Sequence, residues 1–480
     1  MLLTNCLSRV DEAPARGGRA SITGLFELPV PEAIRLRSGL EVWLFRSNEV
    51  PLVTMSLVIR SGSFQDPRGK EGLAALTANM LDEGAGERGA LEIADEIDYL
   101  GAAFSIDAER ERTQISLQVL LRNLDPALAI LGDVVARPTF LEKEWDRVKT
   151  LWLNEIIQRR EEPREVARIV AERAFYGEDH PYAHPTAGYE STVKAIALED
   201  LKAFYAAHVR PSKSVLLIVG DLTPEDLRTR LEKALAGWTD AGPAPPDPEP
   251  PASAAATRLI VVEKPDAPQT EIRILVPGPS FASGEVPPLL LDNIIFGGSF
   301  TSRLTVNLRE KNHFTYGASS AFSLRRGPGY LVAASAVHTE KTGAALAEFC
   351  REFRAMETGS LTEEELAKAH STISTRVCEA LQTQEGKLEI YTVSAALGGV
   401  PEERRQFYRK VDSTTGPEAS AEARERYHWD RATIVLVGDK AAIESQLKDL
   451  RASPPLDLSG RACTFPEVEL RDRDGGHTSG

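Results

Sequence analysis

Residues 296–320 read FGGSFTSRLTVNLREKNHFTYGASS and contain the most specific pattern in the sequence. Gly297 and Gly298 permit a tight or flexible loop, because glycine accepts backbone angles that other residues avoid. A short helix is predicted to follow this loop and to present Ser302, Leu304 and Leu308.

Arg309 and Tyr316 are the candidate ligand-binding residues of this stretch. Arg309 follows the predicted helix, and Tyr316, seven residues later, opens a predicted strand. A guanidinium and a phenol brought together in this way provide hydrogen-bond donors suited to a carbonyl oxygen that is gaining charge. The alternative is that both are surface residues that pack and form ordinary hydrogen bonds.

A proline-rich segment, residues 239–257, divides the chain into two portions of similar size. It reads TDAGPAPPDPEPPASAAAT, and this proline density excludes a helix or a central strand. We expect a semi-rigid connector between a first domain at 28–238 and a second domain at 258–452. Residues 1–27 are predicted to be an N-terminal extension, and the polar residues 453–480 a poorly ordered C-terminal tail.

Two pairs of landmarks indicate that the two domains are duplicates. Phe64 ends the strand-like PLVTMSLVIRSGSF, and Phe281 ends QTEIRILVPGPSF 217 residues later. A Gly-Asp pair follows an apolar strand at 220–221 and again at 438–439, an offset of 218 residues. Helical periodicity, as at 140–160, is mixed with strands without strict alternation. We therefore predict an α+β fold of two homologous α/β-layer sandwich domains.

The composition is that of an ordinary soluble globular protein of 480 residues, with 42% hydrophobic and 26% charged residues. A net charge of −15 gives no basic footprint, so nucleic acid is not an expected partner. No apolar run approaches the length of a membrane span. Because the N-terminal stretch is not a complete signal peptide, a cytoplasmic location is expected, with a periplasmic form if the start is truncated.

The cysteines are widely spread and include no CxxC pair, so neither a disulfide framework nor a zinc finger is predicted. They are Cys6, Cys350, Cys378 and Cys463. Cys350 falls at helical spacing with Leu346 and Phe349, which favours a buried thiol on a helix face.

The stretch at 296–320 resembles the Gly-Gly, Ser-Arg-Leu, Leu-Arg-Glu and Tyr motif of the pitrilysin/insulinase family of peptidases, whose relatives include mitochondrial processing peptidase. The resemblance covers roughly residues 28–450, including the proline-rich join. Further matching segments are GSFQDPRGKEGLAALTANMLDEGAG, HPYAHPTAGYESTVKAI and the Val-Gly-Asp strand ends. The resemblance implies a duplicated metallopeptidase-like half-clamshell.

The first half departs from this family at its zinc site. Aligning residues 72–74, Gly-Leu-Ala, with the family puts Ala75 at the first histidine of His-x-x-Glu-His. Ala78 then stands at the catalytic glutamate, Asn79 at the second histidine, and Glu155 close to the third ligand position. Zinc needs about three protein donors, whereas alanine offers none and an amide is a poor ligand. We therefore expect no metal in this chain, with Glu155 a solvated or paired carboxylate.

Two further positions bear on the site. Ser105 stands where catalytic members of the family carry an asparagine on an edge strand, which fits a half that has lost contact with the cleaved bond. His180 and His184 are four residues apart, but Pro181 and Pro185 prevent a regular helix there. We therefore do not expect these histidines to bind a metal.

The resemblance implies a role for the chain in a complex. Small two-repeat members of the family assemble as heterodimers, in which one subunit brings zinc and the general base and the other brings the Arg/Tyr pair. We therefore expect a zinc-less partner subunit, whose Arg309 and Tyr316 bind a peptide substrate and stabilise the oxyanion. The expected partner is a homologous chain with an intact His-x-x-Glu-His motif and its zinc. The alternatives are an inert scaffold subunit, like the core subunits of respiratory complexes, and a module that binds peptides without cleavage.

Overall fold

A computed structural model describes residues 28–243, 245–246 and 257–477. The predicted N-terminal extension, residues 244 and 247–256 of the connector, and residues 478–480 of the predicted tail lie outside the described residues. Two six-stranded sheets, each covered by helices, form an α+β architecture, which confirms the predicted fold class. No helix in these described ranges is both long and apolar enough to cross a membrane.

The first half forms one six-stranded sheet and a small ribbon. Its strands are β1 (Glu32–Arg35), β2 (Glu41–Arg46), β3 (Leu52–Ile59), β4 (Gly84–Ala85), β5 (Arg88–Gly89), β6 (Ala103–Ala108), β7 (Thr113–Leu120) and β8 (Ser214–Gly220). Its helices are α1 (Leu73–Asn79), α2 (Ala90–Tyr99), α3 (Leu124–Ala136), α4 (Glu142–Arg159), α5 (Pro163–Tyr176), α6 (Glu190–Ala195), α7 (Leu198–His208) and α8 (Pro224–Ala234). The strand order in the sheet is β1-β2-β8-β3-β7-β6, and β4 pairs with β5 in the ribbon.

The second half forms the other six-stranded sheet. Its strands are β9 (Arg258–Glu263), β10 (Gln269–Pro277), β11 (Thr315–Ser323), β12 (Tyr330–His338), β13 (Thr433–Gly438) and β14 (Val468–Arg471). Its helices are α9 (Val286–Phe296), α10 (Arg303–Thr305), a π-helical segment (Val306–Lys311), α11 (Thr342–Glu357), α12 (Glu363–Leu381), α13 (Gln384–Ala396), α14 (Pro401–Ser413), α15 (Gly416–Arg426) and α16 (Lys440–Ala452). The strand order is β11-β12-β10-β13-β9-β14.

The two sheets repeat one topology, as the landmark spacing predicts. In each sheet a parallel pair, β2 with β8 or β9 with β13, lies beside an antiparallel central strand, β3 or β10. A further antiparallel strand and an edge strand complete the repeat, and these edge strands are β6 and β11. The duplication is therefore visible in the strand order as well as in the sequence.

Strand burial follows the position of each strand in its sheet. The central strand β8, SVLLIVG, is buried along its whole length because both faces of the sheet are covered. The edge strand β6, AFSIDA, alternates between exposed and half-buried residues. This alternation indicates that only one face of β6 packs against the helices.

Each half also covers one face of the other half's sheet. On the first sheet, Trp43 and Leu217 belong to one apolar cluster with Ile294 of α9 and Tyr391 of α13. Reciprocally, helix α5 of the first half packs on the second sheet, where its apolar side chains meet Val435. The opposite faces pack on helices of their own half. The core is therefore shared between the two halves.

A buried ionic cluster joins the halves at this shared core. Glu172 of α5 accepts hydrogen bonds from Tyr330 Oη at 2.6 Å and from Arg168 Nη1 at 3.1 Å, and it forms an ion pair with Arg110. Burial alone would raise the pKa of Glu172, but the charges of Arg110 and Arg168 hold it below its usual range. The carboxylate is therefore kept ionised at the contact between the halves.

The C-terminal segment, residues 453–477, is ordered, contrary to the expectation of a poorly ordered tail. It supplies strand β14, which pairs in parallel with β9. Beyond this strand it reaches the first half, where Asp474 pairs with Arg160 and Arg473 pairs with Glu161. A few apolar residues in this polar segment, Cys463, Phe465, Val468 and Leu470, also pack on the core of the second half, and the overall polar composition does not indicate this packing.

Cys350 and Cys463 form a disulfide, which corrects the prediction of a buried thiol at position 350. The predicted burial is present, since both residues are fully buried, but the thiol is not. The two cysteines lie 113 residues apart, so no local spacing could indicate the pairing. The bridge ties the C-terminal segment to α11.

Candidate functional site

The Gly-Gly turn after α9 lies against two neighbouring backbones. A Cβ atom at Gly297 would stand 2.5 Å from Ser320 Oγ, and one at Gly298 would stand 2.6 Å from Asn293 Nδ2. Side chains at these positions would collide with β11 and with the end of α9. The glycines are therefore required by close packing, in addition to the loop conformation considered from the sequence.

The helix after the turn is fixed by polar contacts on its inner side. Arg303 donates from Nε and Nη2 to the carboxylate of Glu365 at 2.6 and 2.7 Å, which joins the helix to α12. Asn307 donates to Glu352 of α11 at 2.6 Å. Leu308 is fully buried, whereas the next residue, Arg309, is half-buried. The residues from Val306 to Lys311 have π-helical geometry, which occurs frequently at functional sites.

A bulge at the start of β11 turns Tyr316 outward. The register with β12 shifts between Thr315 and Ala318. Thr315 Oγ1 donates to Ala336 O at 2.7 Å, and Ser335 Oγ donates to Gly317 O at 2.9 Å. These bonds fix the residues before and after Tyr316 to strand β12. Tyr316 is consequently 87% exposed.

Arg309 and Tyr316 lie against each other at the surface, and Phe300 joins them. The guanidinium carbon of Arg309 is 5.1 Å from the centre of the Tyr316 ring and 4.6 Å from the centre of the Phe300 ring. These distances are those of cation–π contacts. With the other described residues, the Arg309 side chain forms neither a hydrogen bond nor an ion pair. Its N–H groups are therefore open to a ligand from outside the chain.

The positions aligned with the zinc ligands lie together in the first half. Ala75, Ala78 and Asn79 of α1 line a cleft of about 280 Å³ together with Ile106 of β6 and Trp152 of α4. Methyl groups and one amide do not form the donor set that zinc requires. In the described part of the chain, no group of three or more His, Cys, Asp or Glu residues could hold a metal ion.

Glu155 and Ser105 stand apart from this cleft. Glu155 lies on α4 and is exposed, whereas Trp152, nearly one turn earlier, lines the cleft and donates from Nε1 to Ala187 O at 2.9 Å. Ser105 is exposed on β6 and lines a different groove, beside Ser116. The structure thus gathers the three α1 positions and places Glu155 and Ser105 elsewhere.

His180 and His184 flank a 3₁₀ turn, Pro181–Ala183, as the prolines predict. His180 Nδ1 accepts a hydrogen bond from the Tyr182 backbone at 3.0 Å. His184 Nδ1 lies 3.2 Å from Tyr189 Oη. Each ring therefore has a partner inside the fold.

Two features next to the motif have no clear signal in the sequence. A cavity of about 650 Å³ lies against the motif helix, between Val306, residues of α11 and α12, and the loop 457–459. Its walls come from segments far apart in the chain, so no local pattern indicates it. Phe300 is visible in the sequence only as an aromatic residue among small polar ones.

Comparisons with known proteins agree on one family. The family described as Insulinase (Peptidase family M16) matches residues 42–187, and the one described as Peptidase M16 inactive domain matches residues 195–373. The chain is 27% identical to an uncharacterized zinc protease of Rickettsia bellii over 71% of this chain and 81% of that protein. It is also 27% identical to the non-peptidase homolog YmxG of Helicobacter pylori, over 39% of this chain and 43% of that protein.

Solved structures show the same likeness. The peptidase M16 inactive domain from Pseudomonas fluorescens has a TM-score of 0.79 and 25% identity, covering 85% of this chain and 98% of that one. A protease from Helicobacter pylori also has a TM-score of 0.79, but its identity of 16% shows the fold alone. With two family matches in sequence order and this shared architecture, the chain belongs to the pitrilysin/insulinase family, peptidase family M16.

Proposed function

We propose that this chain is the zinc-less partner subunit of a heterodimeric pitrilysin-type metallopeptidase. In this proposal Arg309 and Tyr316 bind the peptide substrate, and a homologous subunit with an intact His-x-x-Glu-His motif supplies zinc and the general base. The observation that carries the proposal is the contrast between two sites of one chain. The zinc positions hold Ala75, Ala78 and Asn79, while Tyr316 is exposed and the half-buried Arg309 lies against it at the surface.

The contribution of this chain is the binding of a carbonyl oxygen. Arg309 carries five N–H donors in one plane, and Tyr316 adds a hydroxyl donor. Both groups suit an oxygen whose negative charge increases during the reaction, because a charged or polar donor binds the oxyanion more strongly than the neutral carbonyl. The bond-breaking steps require the zinc and the base of the partner subunit.

The relatives support a non-catalytic role without identifying the complex. The Helicobacter pylori relative is described as a non-peptidase homolog, and the Pseudomonas fluorescens structure as an inactive domain. An inert scaffold subunit would also lack zinc ligands, but its function would not require the Arg309/Tyr316 pair at the surface. The pair therefore favours a subunit that binds substrate.

The first experiment identifies the partner. The tagged chain is purified from its native cells, and proteins recovered in equimolar amount are identified by mass spectrometry. We expect a homologous chain that contains His-x-x-Glu-His and carries zinc. Recovery of the chain alone, or with unrelated proteins only, would contradict the heterodimer.

The second experiment tests the Arg/Tyr pair in that complex. We expect Arg309→Ala and Tyr316→Phe to lower turnover of an unfolded peptide by about a hundred- to a thousandfold, the usual effect of removing an oxyanion donor. Zinc content of the complex should stay unchanged, because neither residue lies at a zinc position. Arg404→Ala is the matched control, since Arg404 is also stacked on two aromatic rings, Phe407 and Tyr408. Full turnover in both pair variants would rule out this role.

A further inference from the structure

Phe300 is an exposed aromatic residue that contacts Arg309. It lies just after the Gly-Gly turn, and 65% of its surface is exposed. Its ring centre is 4.6 Å from the guanidinium carbon, closer than the ring centre of Tyr316 at 5.1 Å. A large apolar side chain at this exposure gains little from burial, so its contact with the guanidinium is the interaction to be explained.

A second stacked arginine in the same chain shows what is distinctive about Arg309. The guanidinium carbon of Arg404 is 4.6 Å from the ring centre of Phe407 and 5.2 Å from that of Tyr408, almost the same geometry. Arg404 also donates from Nε to Ile390 O at 2.9 Å, so a hydrogen bond fixes it in the fold. The Arg309 side chain has no such bond with the other residues that the structure describes, and its guanidinium contacts the two aromatic rings instead.

We infer that Phe300 is a positioning residue that holds the Arg309 guanidinium in place for a peptide carbonyl oxygen. This inference rests on the proposed function of Arg309. The guanidinium carbon lies over the ring, and a cation–π contact is not a hydrogen bond to a carbonyl acceptor. The contact therefore restricts the side chain and leaves N–H donors for an oxygen acceptor, which binds without first ordering a flexible arginine.

The positioning role is tested first in the isolated chain, where no partner is needed. With ¹⁵N-labelled arginine, the Nε–H signal of Arg309 is assigned by its loss in Arg309→Ala, and its heteronuclear NOE reports side-chain motion. We expect Phe300→Leu to lower this NOE to the value of exposed, unstacked arginines, and Phe300→Tyr to preserve it. Phe407→Leu is the matched control and should leave the Arg309 signal unchanged. An unchanged NOE in Phe300→Leu would overturn the inference.

The purified complex gives the second test. Loss of an exposed cation–π contact is worth about 0.5–1 kcal/mol, so we expect Phe300→Leu to lower kcat/KM about two- to fivefold. The same substitution in the Arg309→Ala background should have no further effect, because Phe300 acts through Arg309. Phe300→Tyr should retain activity.

The two proposals fail in different ways. If Arg309→Ala leaves turnover unchanged, the proposed function is wrong, and the NOE still decides whether Phe300 positions Arg309. If Arg309→Ala lowers turnover but Phe300→Leu behaves like Phe407→Leu in both measurements, the positioning role alone is wrong. An equal loss from Phe300→Leu with and without Arg309 would show that Phe300 acts independently.

Discussion

His180 is a buried histidine packed among aromatic rings. Its ring centre is 4.6 Å from that of Tyr176 and 5.0 Å from that of Tyr182, and only 3% of its surface is exposed. Burial lowers the pKa of His180 to about 4, and the nearby charges of Arg110 and His184 add to this effect. The folded protein therefore holds this ring neutral at pH values where the unfolded chain protonates it.

This difference predicts an acid sensitivity at one residue. Because the folded pKa lies below the ordinary value of 6.5, stability decreases as the pH falls from about 6.5 to 4 and levels off below. Over this range the free energy of unfolding is expected to fall by about 3 kcal/mol. His180→Asn keeps a hydrogen-bond acceptor for the Tyr182 backbone but does not titrate. We expect its free energy of unfolding, measured in urea, to approach or exceed that of the wild type as the pH falls. Parallel stability curves for the two proteins would contradict this prediction.

Single residues also show where sequence reasoning stops. The motif spacing predicts that Arg309 and Tyr316 come together, and the structure places their side chains in contact, while their role stays a prediction. Phe300 could not be assigned from the sequence, because its contact depends on the path of the Gly-Gly turn. Glu155 could be placed on a helix by periodicity, but which helix residue faces the cleft depends on the rotation of α4, and Trp152 occupies that position.

At the level of elements, the local sequence pattern predicts the apolar strands and the duplication, but it does not predict the outermost strand of the second sheet. The apolar strands before the Gly-Asp pairs are β8 and β13, and they occupy equivalent places in the two sheets. The outermost strand of the second sheet, β14, comes from a polar segment whose pairing with β9 joins residues about 210 positions apart. The strand is only four residues long, VELR, and although Val468 and Leu470 pack against the core of the second half, an alternation this short does not identify a strand or its partner in the sequence.

The disulfide between Cys350 and Cys463 is expected to stabilise the fold at this edge of the second sheet. A bridge that closes a loop of 113 residues restricts the unfolded chain, and a bridge of this length stabilises a protein by about 2–5 kcal/mol. We expect the double variant Cys350→Ala/Cys463→Ala to lose this amount in urea unfolding without reductant. Cys378→Ala, outside the bridge, is the control and should change stability by less than about 1.5 kcal/mol.

Alkylation of the chain purified from its native cells provides the independent check. The alkylation is done in denaturant, because both residues are fully buried in the folded chain and would be inaccessible even as thiols. Disulfides persist in oxidising compartments, so protection of Cys350 and Cys463 from alkylation before reduction would also favour an exported protein. Equal stability of the double variant and the wild type would contradict the structural contribution of the bridge. Alkylation of both thiols without reduction would show that the bridge is absent in the cell.

For the whole molecule, the shared core makes the two halves depend on each other. Trp43 and Leu217 of the first sheet are fully buried only because helices of the second half cover them. The second sheet depends in the same way on α5, and Glu172 joins the two halves through Tyr330. Separation would expose apolar faces on both sheets and would remove the Tyr330 hydrogen bond from Glu172, whose ion pairs with Arg110 and Arg168 lie within the first half.

A cut in the connector tests this dependence. A protease site placed within residues 247–256 allows the folded chain to be cleaved between its halves. Cys350 and Cys463 both lie in the second half, so their disulfide does not link the two fragments. We expect the cleaved fragments to elute together in size-exclusion chromatography and to unfold in one transition. Because the cut turns folding into association, the unfolding midpoint should now rise with protein concentration. The control is the same cleaved protein in urea, which should separate into two fragments.

Separation under native conditions, or two independent transitions, would show that each half is stable without the other.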